Sequence, residues 1–335
     1  MSTGKAEKLL QKSVLPLLLL TLLSCGGGQE FSTTYSQPYA RAITLMMSED
    51  WDQLALSGKG IKIGVIDAGF KGTTEDPALR NCSIQSTMNF TLPGGPSAIN
   101  MQEGATHGTE VLRNIAGKSQ TETWGLAPAA AYYLALTEIM DSETIREEKL
   151  MIEAIRWMVE QDVRIINISL NYRKFDDADA YTPQDLDGKT ALSTRFIDSL
   201  CSNNPRVTIV VSAGNEGNKS WKYPGFPADA RQAITVGGTQ FDGIRPHANT
   251  PYCPEGLPYV KPDVATYEYP RGNSYTAPII TGLIAQMLEY DPSLKNAEIA
   301  GILHRAGHLR DEPDLRLGYG VPSTQLILEQ LQGRK

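Results

Sequence analysis

Four short segments of this 335-residue chain carry side chains that could do chemistry together. Gly64-Val65-Ile66-Asp67-Ala68-Gly69 ends an apolar run in a carboxylate, and His107-Gly108-Thr109 supplies an imidazole at a helix start. Ser212-Ala213-Gly214-Asn215-Glu216-Gly217 places a carboxamide after a second apolar run. Gly272-Asn273-Ser274-Tyr275-Thr276-Ala277-Pro278 offers a hydroxyl where another helix begins. A serine hydroxyl is a weak nucleophile until a neighbouring base takes its proton, and imidazole titrates near neutral pH. Ser274 is therefore the candidate nucleophile and His107 the candidate base. Asp67 is the candidate to accept the other ring N–H and stabilise the imidazolium. Asn215 and the Ser274 backbone N–H are candidate donors to a tetrahedral oxyanion. Singly, each residue has a plainer reading as a turn or cap. Together, in this order, they point to acyl transfer.

Such residues need a scaffold that holds them at one end. Short apolar or β-branched runs at Ile61 to Ile66, Tyr132 to Leu136, Val163 to Ile168, Val207 to Val211 and Ala233 to Val236 read as strands buried on both faces. Thr144 to Gln161 carries an apolar face at Met151, Ile152, Ile155, Met158 and Val159, and so predicts a helix. A second helix is expected around Lys189 to Ser202 and a third from Ser274 to Glu289, with Pro278 near its start. This alternation predicts an α/β domain: a doubly wound, mostly parallel central sheet flanked by helices. Ligands bind beyond the carboxyl ends of such strands, where Asp67 and Asn215 fall.

The motifs resemble those of the subtilisin-like serine peptidases (subtilases), whose active residues also run Asp, His, Ser along the chain. Trp51 with Gly58-Lys59-Gly60, Gly125-Leu126-Ala127-Pro128, Ile165-Ile166-Asn167-Ile168-Ser169-Leu170, Lys261-Pro262-Asp263-Val264 and Gly318-Tyr319-Gly320-Val321 extend the resemblance from about Trp51 to the C-terminus. It implies a catalytic Asp67, His107 and Ser274, an oxyanion donor at Asn215, and an acyl-enzyme route to peptide-bond hydrolysis. Polypeptide substrates would lie extended against Ser169-Leu170 and Ser212-Ala213-Gly214, with main-chain bonds giving affinity and pockets reading side chains. No cofactor is required, and a structural Ca²⁺ is supported by no recognisable site. The chain departs from the family pattern at Ala68, where Ser or Thr is usual, and at Asn273 and Thr276. Asn171 replaces a glycine and is expected to crowd the cleft, and residues 265–271 form a short connection.

At the N-terminus, Lys5, Lys8 and Lys12 precede an apolar stretch from Val14 to Leu23, which reads as an export signal. It ends in Leu22-Leu23-Ser24-Cys25, which resembles a bacterial lipobox. The expected organisation is a lipoprotein signal peptide over 1–24, a lipidated Cys25 with a flexible tether over 25–45, and a peptidase domain over 46–335. The protein would then be exported and lipid-anchored to a bacterial membrane, at the outer membrane or cell surface. An ordinary signal peptide with a chance cysteine is the alternative. The span between Cys25 and the first strand is too short for an independent folding pro-domain.

Other features exclude more than they assign. A net charge of −7 argues against nucleic acid, whose binding depends on Lys and Arg neutralising phosphates. Cys82, Cys201 and Cys253 leave open one disulfide with an odd thiol, or three thiols. Tyr172 to Gly188 carries five aspartates in no recognised calcium spacing and reads as a solvated loop. His304 and His308 share the i, i+4 spacing of zinc ligands, but Gly307 ends the helix between them and no third ligand is evident; no metal is assigned. His247 reads as a surface loop residue. Two further function classes remain: a non-catalytic peptide-binding lipoprotein on the same fold, and an esterase using the same residues.

Overall fold

The computed structural model describes residues 37–140, 142–268 and 272–334, with side chains from residue 41 onward. The signal segment, Cys25 and the first part of the expected tether lie outside the described residues. The last part of that tether is a helix, α1 (Gln37–Met46), with Ala42, Ile43 and Met46 buried. Their spacing makes one apolar face, and burying it fixes this segment onto the domain. A short helix, α2 (Glu49–Asp52), follows, started by the Ser48 hydroxyl accepting from the Trp51 N–H.

The chain then alternates through β1 (Lys62–Asp67), β2 (Ser83–Asn89), α3 (His107–Ala116), β3 (Ala131–Leu136), α4 (Ile145–Glu160), β4 (Ile165–Ile168), α5 (Leu192–Asn203), β5 (Thr208–Ser212), β6 (Ile234–Thr239) and β7 (Val264–Tyr267). Helices α6 (Ala277–Tyr290), α7 (Asn296–Ala306) and α8 (Thr324–Gln332) complete it. The seven strands form one sheet in the order β2-β3-β1-β4-β5-β6-β7, and every adjacent pair is parallel. The strand order turns back at β1, so β1 carries Asp67 to the switch point where such sheets bind ligands.

Alternate residues of each strand feed cores on opposite faces. Ile63, Val65, Ile165 and Val210 join one core with α3 and α6, and Ile66, Ile166, Ile168, Ile209 and Val211 join the other with α4 and α5. Gly64 permits the second contact, since a Cβ there would run into the Met158 sulfur of α4. Helix α6 is buried on nearly every side and runs under the site. Two strands were not evident in sequence: β2 is a half-exposed, mostly polar edge, and β7 is four residues long. The third expected helix begins at Ala277 rather than Ser274; Asn273–Tyr275 is a separate 3-10 turn, with Pro278 in the first turn of α6.

Four of the five aspartates of the 172–188 stretch accept from backbone donors, Asp185 from the Thr182 N–H. Asp176 accepts from the Glu143 N–H and Asp177 from the Ile145 N–H, each at 2.9 Å, at the start of α4. Asp187 accepts from the Lys189 and Thr190 N–H groups. Cys82, Cys201 and Cys253 are free thiols. No helix of the described residues is long and apolar enough to cross a membrane.

Candidate active site

Asp67 ends β1 fully buried, and His107 is the first residue of α3. The following glycine makes their approach possible: the Gly108 N–H donates to the Gly69 carbonyl at 2.9 Å, and a Cβ at Gly108 would lie 2.8 Å from the Asp67 Cβ. His107 Nδ1 sits 2.7 Å from Asp67 Oδ1. Nδ1–H donating to the carboxylate is the tautomer this pairing assigns, and it leaves the lone pair on Nε2. The Ala68 N–H also donates to Oδ1, at 2.8 Å, whereas buried Oδ2 has no hydrogen-bond partner among the described residues. Ala68 brings no side-chain hydroxyl to this carboxylate. Burial pushes Asp67 up by more than His107 and the Ala68 N–H pull it down. For His107, burial acts downward, but the charge and hydrogen bond of Asp67 and the charge of Glu110 together outweigh it, so the imidazole is raised.

The His107 ring is also flanked by Tyr275, with centroids 5.6 Å apart, and the Tyr275 hydroxyl donates to Glu110 Oε2 at 2.6 Å. Glu110 lies on α3 itself, one turn beyond His107. One helix thus carries both the imidazole and the carboxylate that holds its neighbouring ring.

Ser274 lies in the same cleft, a cavity of about 340 Å³ also lined by His107, Ser169, Leu170, Asn171, Gly214 and Asn215. Its hydroxyl donates to the Ser169 carbonyl at a long 3.4 Å, and no hydrogen bond joins it to His107 among the described residues. The Ser169 hydroxyl donates back to the Ser274 carbonyl at 2.9 Å, and Asn167 and Thr281 extend the network behind it. Hydrogen bonds at active sites are often long before substrate arrives.

Opposite Ser274, the Asn273 N–H donates to Asn215 Oδ1 at 2.8 Å. With its oxygen thus turned to the loop, Asn215 keeps Nδ2 as a donor. Gly272 makes room for this: it has φ +110°, and a Cβ there would lie 2.6 Å from Asn215 Oδ1.

A model of the Subtilase family matches residues 58–320, which include all four segments. The chain belongs to the subtilase family. Subtilisin E of Bacillus subtilis is 26% identical over 276 residues, covering 79% of this subtilase and 65% of the relative. The subtilisin of Bacillus pumilus is 27% identical over 254 residues, covering 72% and 82% respectively. This subtilase therefore spans just under two thirds of the first relative's length. Among solved structures, the Clostridium perfringens CspB protease matches with a TM-score of 0.69 at 15% identity, covering 89% of this chain and all of that one. The MycP3 protease from the type VII (ESX-3) secretion system matches at 0.66 and 17%, covering 88% of each chain. At such identities these structures speak for the fold.

Not every residue of the substrate-binding segments expected from sequence lines the cleft of this subtilase. Ser169, Leu170 and Gly214 line the cleft, but Ser212 and Ala213 are buried behind it. The Ser212 carbonyl accepts from Asn171 Nδ2 at 3.1 Å, and Asn171 Oδ1 packs over Gly214. The Asn171 side chain thus fills the gap that a glycine would leave open.

Several cleft residues were missed in sequence. Glu138 and Glu143 line its far end, and Arg173 there pairs with Glu216 at 3.3 Å. Burial pushes Glu138 up to about 8 despite donation from the Tyr172 hydroxyl. Oxygens of Glu138, Glu143 and Glu147 lie within 4.8 Å of one another, close enough to share a cation. Those of Glu147, however, are already committed to the Ile139 and Thr144 N–H groups at 2.6 and 2.9 Å. Only Glu216, next to Asn215, had a local signal.

His304 and His308 do not meet as ligands. His304 Nε2 bonds Asp263 at 2.9 Å, while His308 Nδ1 accepts from the Val321 N–H. His247 is not a simple surface residue: its Nδ1 lies 3.4 Å from the buried carboxyl of Glu268.

Proposed function

We propose that this subtilase is a serine endopeptidase acting on extended polypeptide segments through Asp67, His107 and Ser274. The observation that carries the reading is the Asp67–His107 bond of 2.7 Å opening onto a cleft shared with Ser274 and Asn215. In the proposed reaction Ser274 Oγ turns from the Ser169 carbonyl and attacks the scissile carbonyl carbon as its proton passes to His107 Nε2. Asn215 Nδ2 and the Ser274 N–H donate to the oxyanion. His107 then protonates the leaving amine, which departs and leaves an ester on Ser274. Water attacks that ester, giving its proton to His107, and the acid is released as Ser274 regains its hydroxyl proton. These steps draw on side chains and backbone alone.

A fluorophosphonate probe tests this directly. It should label Ser274 in the wild-type protein, and Ser274→Ala or His107→Ala should abolish labelling along with cleavage of unfolded casein. A folded wild-type protein that neither labels nor cleaves would favour the second reading, a peptide-binding module. What favours that reading is the Ser274 hydroxyl bonding Ser169 rather than His107. Ester turnover without peptide cleavage would instead identify an esterase.

Export and lipid anchoring rest on the basic and apolar N-terminal segment and the Leu22-Leu23-Ser24-Cys25 run. One acyl chain binds membranes only reversibly, so firm attachment needs the several chains of a bacterial lipoprotein. Mass spectrometry of the mature protein should find an acylated Cys25 at its N-terminus, and Cys25→Ser should leave the leader uncleaved. An unmodified soluble product would refute the anchor.

A further inference from the structure

Behind the Ser274 loop lies a second buried carboxyl that the proposed chemistry does not use. Glu268 follows β7, is 2% exposed, and is fixed by its own N–H donating to the Thr239 carbonyl at 3.1 Å. Its Oε1 lies 3.5 Å from Asn249 Nδ2 and 3.4 Å from His247 Nδ1, while Oε2 is buried with no hydrogen-bond partner among the described residues. Oε2 projects over Gly238, where a Cβ would strike both it and Asn273 Oδ1. The bare glycine therefore brings these two oxygens over one backbone position.

Asn273 is the residue through which this contact would reach the reaction. Its side chain is wholly buried; Nδ2 donates to the Gly214 carbonyl, and its backbone N–H donates to Asn215 Oδ1. Because Nδ2 is committed to a carbonyl, the oxygen must face Glu268. The donor near that oxygen is the Thr250 hydroxyl at 3.4 Å, and its single proton has a better acceptor in the Gly238 carbonyl at 2.7 Å. Two acceptors thus crowd one buried position over Gly238, where an unpaired polar atom is costly. One proton on the carboxyl satisfies both.

We propose that Glu268, as the neutral acid, is a positioning residue: its Oε2–H donates to Asn273 Oδ1 and holds Asn273 where it orients Asn215 and Ser274. The inference rests on the serine-peptidase reading for its consequence in turnover. The charged surroundings agree with a neutral acid. His247, from the 246–250 segment, accepts the Asn249 N–H at Nδ1 and is held below its ordinary value by burial and by Arg316. Arg316 itself is spent on the His247 and Thr250 carbonyls. Burial pushes Glu268 up to about 7. Ionisation above that pH sets a carboxylate against the Asn273 oxygen and loosens the loop. The carboxyl's contribution to folding stability, full below its unfolded value, is correspondingly lost as pH rises through about 7.

The test compares full-length wild type, Glu268→Gln and Glu268→Ala, measuring kcat and KM on a chromogenic peptide anilide, and Tm, across pH 5 to 9. Relative to Glu268→Gln, whose profile keeps the rising His107 limb, wild-type kcat should fall above neutrality with KM nearly constant. Glu268→Ala should lose about tenfold in kcat at pH 6.5, the equivalent of one hydrogen bond. Glu268→Gln, a permanent uncharged donor, should regain most of that and lack the alkaline fall. A Gln variant with the wild-type alkaline fall, or an Ala variant with wild-type kcat, would overturn the proposal. If the wild type turns over nothing at any pH, the peptidase reading fails, and Tm judges the carboxyl alone. Wild-type Tm should drop relative to Glu268→Gln between pH 5 and 8, whereas parallel Tm curves would overturn the proposal.

Discussion

Asn273 reaches Asn215 through one hydrogen bond, from its backbone N–H to the side-chain oxygen at 2.8 Å. That bond sets the Asn215 carboxamide with Nδ2 as its remaining donor. A donor aimed at charge developing in the transition state affects turnover more than substrate binding. Asn215→Ala should lower kcat about 100- to 1,000-fold with KM little changed, a magnitude known from subtilisin itself. A lowered Tm with near-normal kcat would instead make Asn215 a turn residue, so kinetics and melting belong on the same preparation.

On the proposed mechanism, Glu110 tunes the base from the helix that carries it. The imidazole must be neutral to take the Ser274 proton, so activity should rise with pH through the His107 value, which Asp67 and Glu110 raise above the ordinary imidazole range. Glu110 is one of the charges raising it, and Glu110→Gln should move this rising limb of kcat/KM to lower pH. An unmoved limb would remove Glu110 from the electrostatics of the site.

Lys261, 1% exposed, bonds Asp263 and the Ala233 carbonyl, both at 2.6 Å. Burial would raise Asp263, but Lys261 and His304 outweigh it and hold the carboxyl below its ordinary value. Such a group stabilises the fold above its unfolded value and loses that contribution as pH falls through its folded one. Lys261→Met leaves a buried charge with one partner fewer and should cost about 3–5 kcal/mol. Its acid-unfolding midpoint should also shift to higher pH. Denaturant titrations at pH 7 and pH 4 would check both.

Asn171 lines the cleft in which the proposed mechanism places an extended substrate. Asn171→Gly should lower KM for peptides while leaving kcat little altered, the mark of a residue that obstructs ground-state binding. A raised KM would show that the carboxamide contacts substrate.

The parts of the fold legible in sequence are those buried on both sides. The segments around Val65, Ile166 and Val210 carry unbroken apolar runs because each face of the sheet is covered. Ser83–Asn89 escapes the same reading because an edge strand keeps polar residues on its exposed side. The α1 face was hidden by the polar run before it. At the site, motif order pointed to Asp67, His107, Asn215 and Ser274, because their chemistry is written into local residue types. The Ser169–Ser274 bonds, the burial of Ser212 and the setting of Glu268 depend on partners far away in the chain, joined only when the strands align.

The all-parallel sheet has a kinetic consequence. No two neighbouring strands are joined by a hairpin, so each pairing must close a long loop before any contact rewards it. Folding is therefore slow relative to helical domains of similar stability, and transient partly folded chains expose unpaired strand edges. If the protein cleaves unfolded polypeptides, its own unfinished chains are substrates for its finished ones. Yield on refolding should then fall as concentration rises, and the inactive Ser274→Ala protein should be spared that part of the loss.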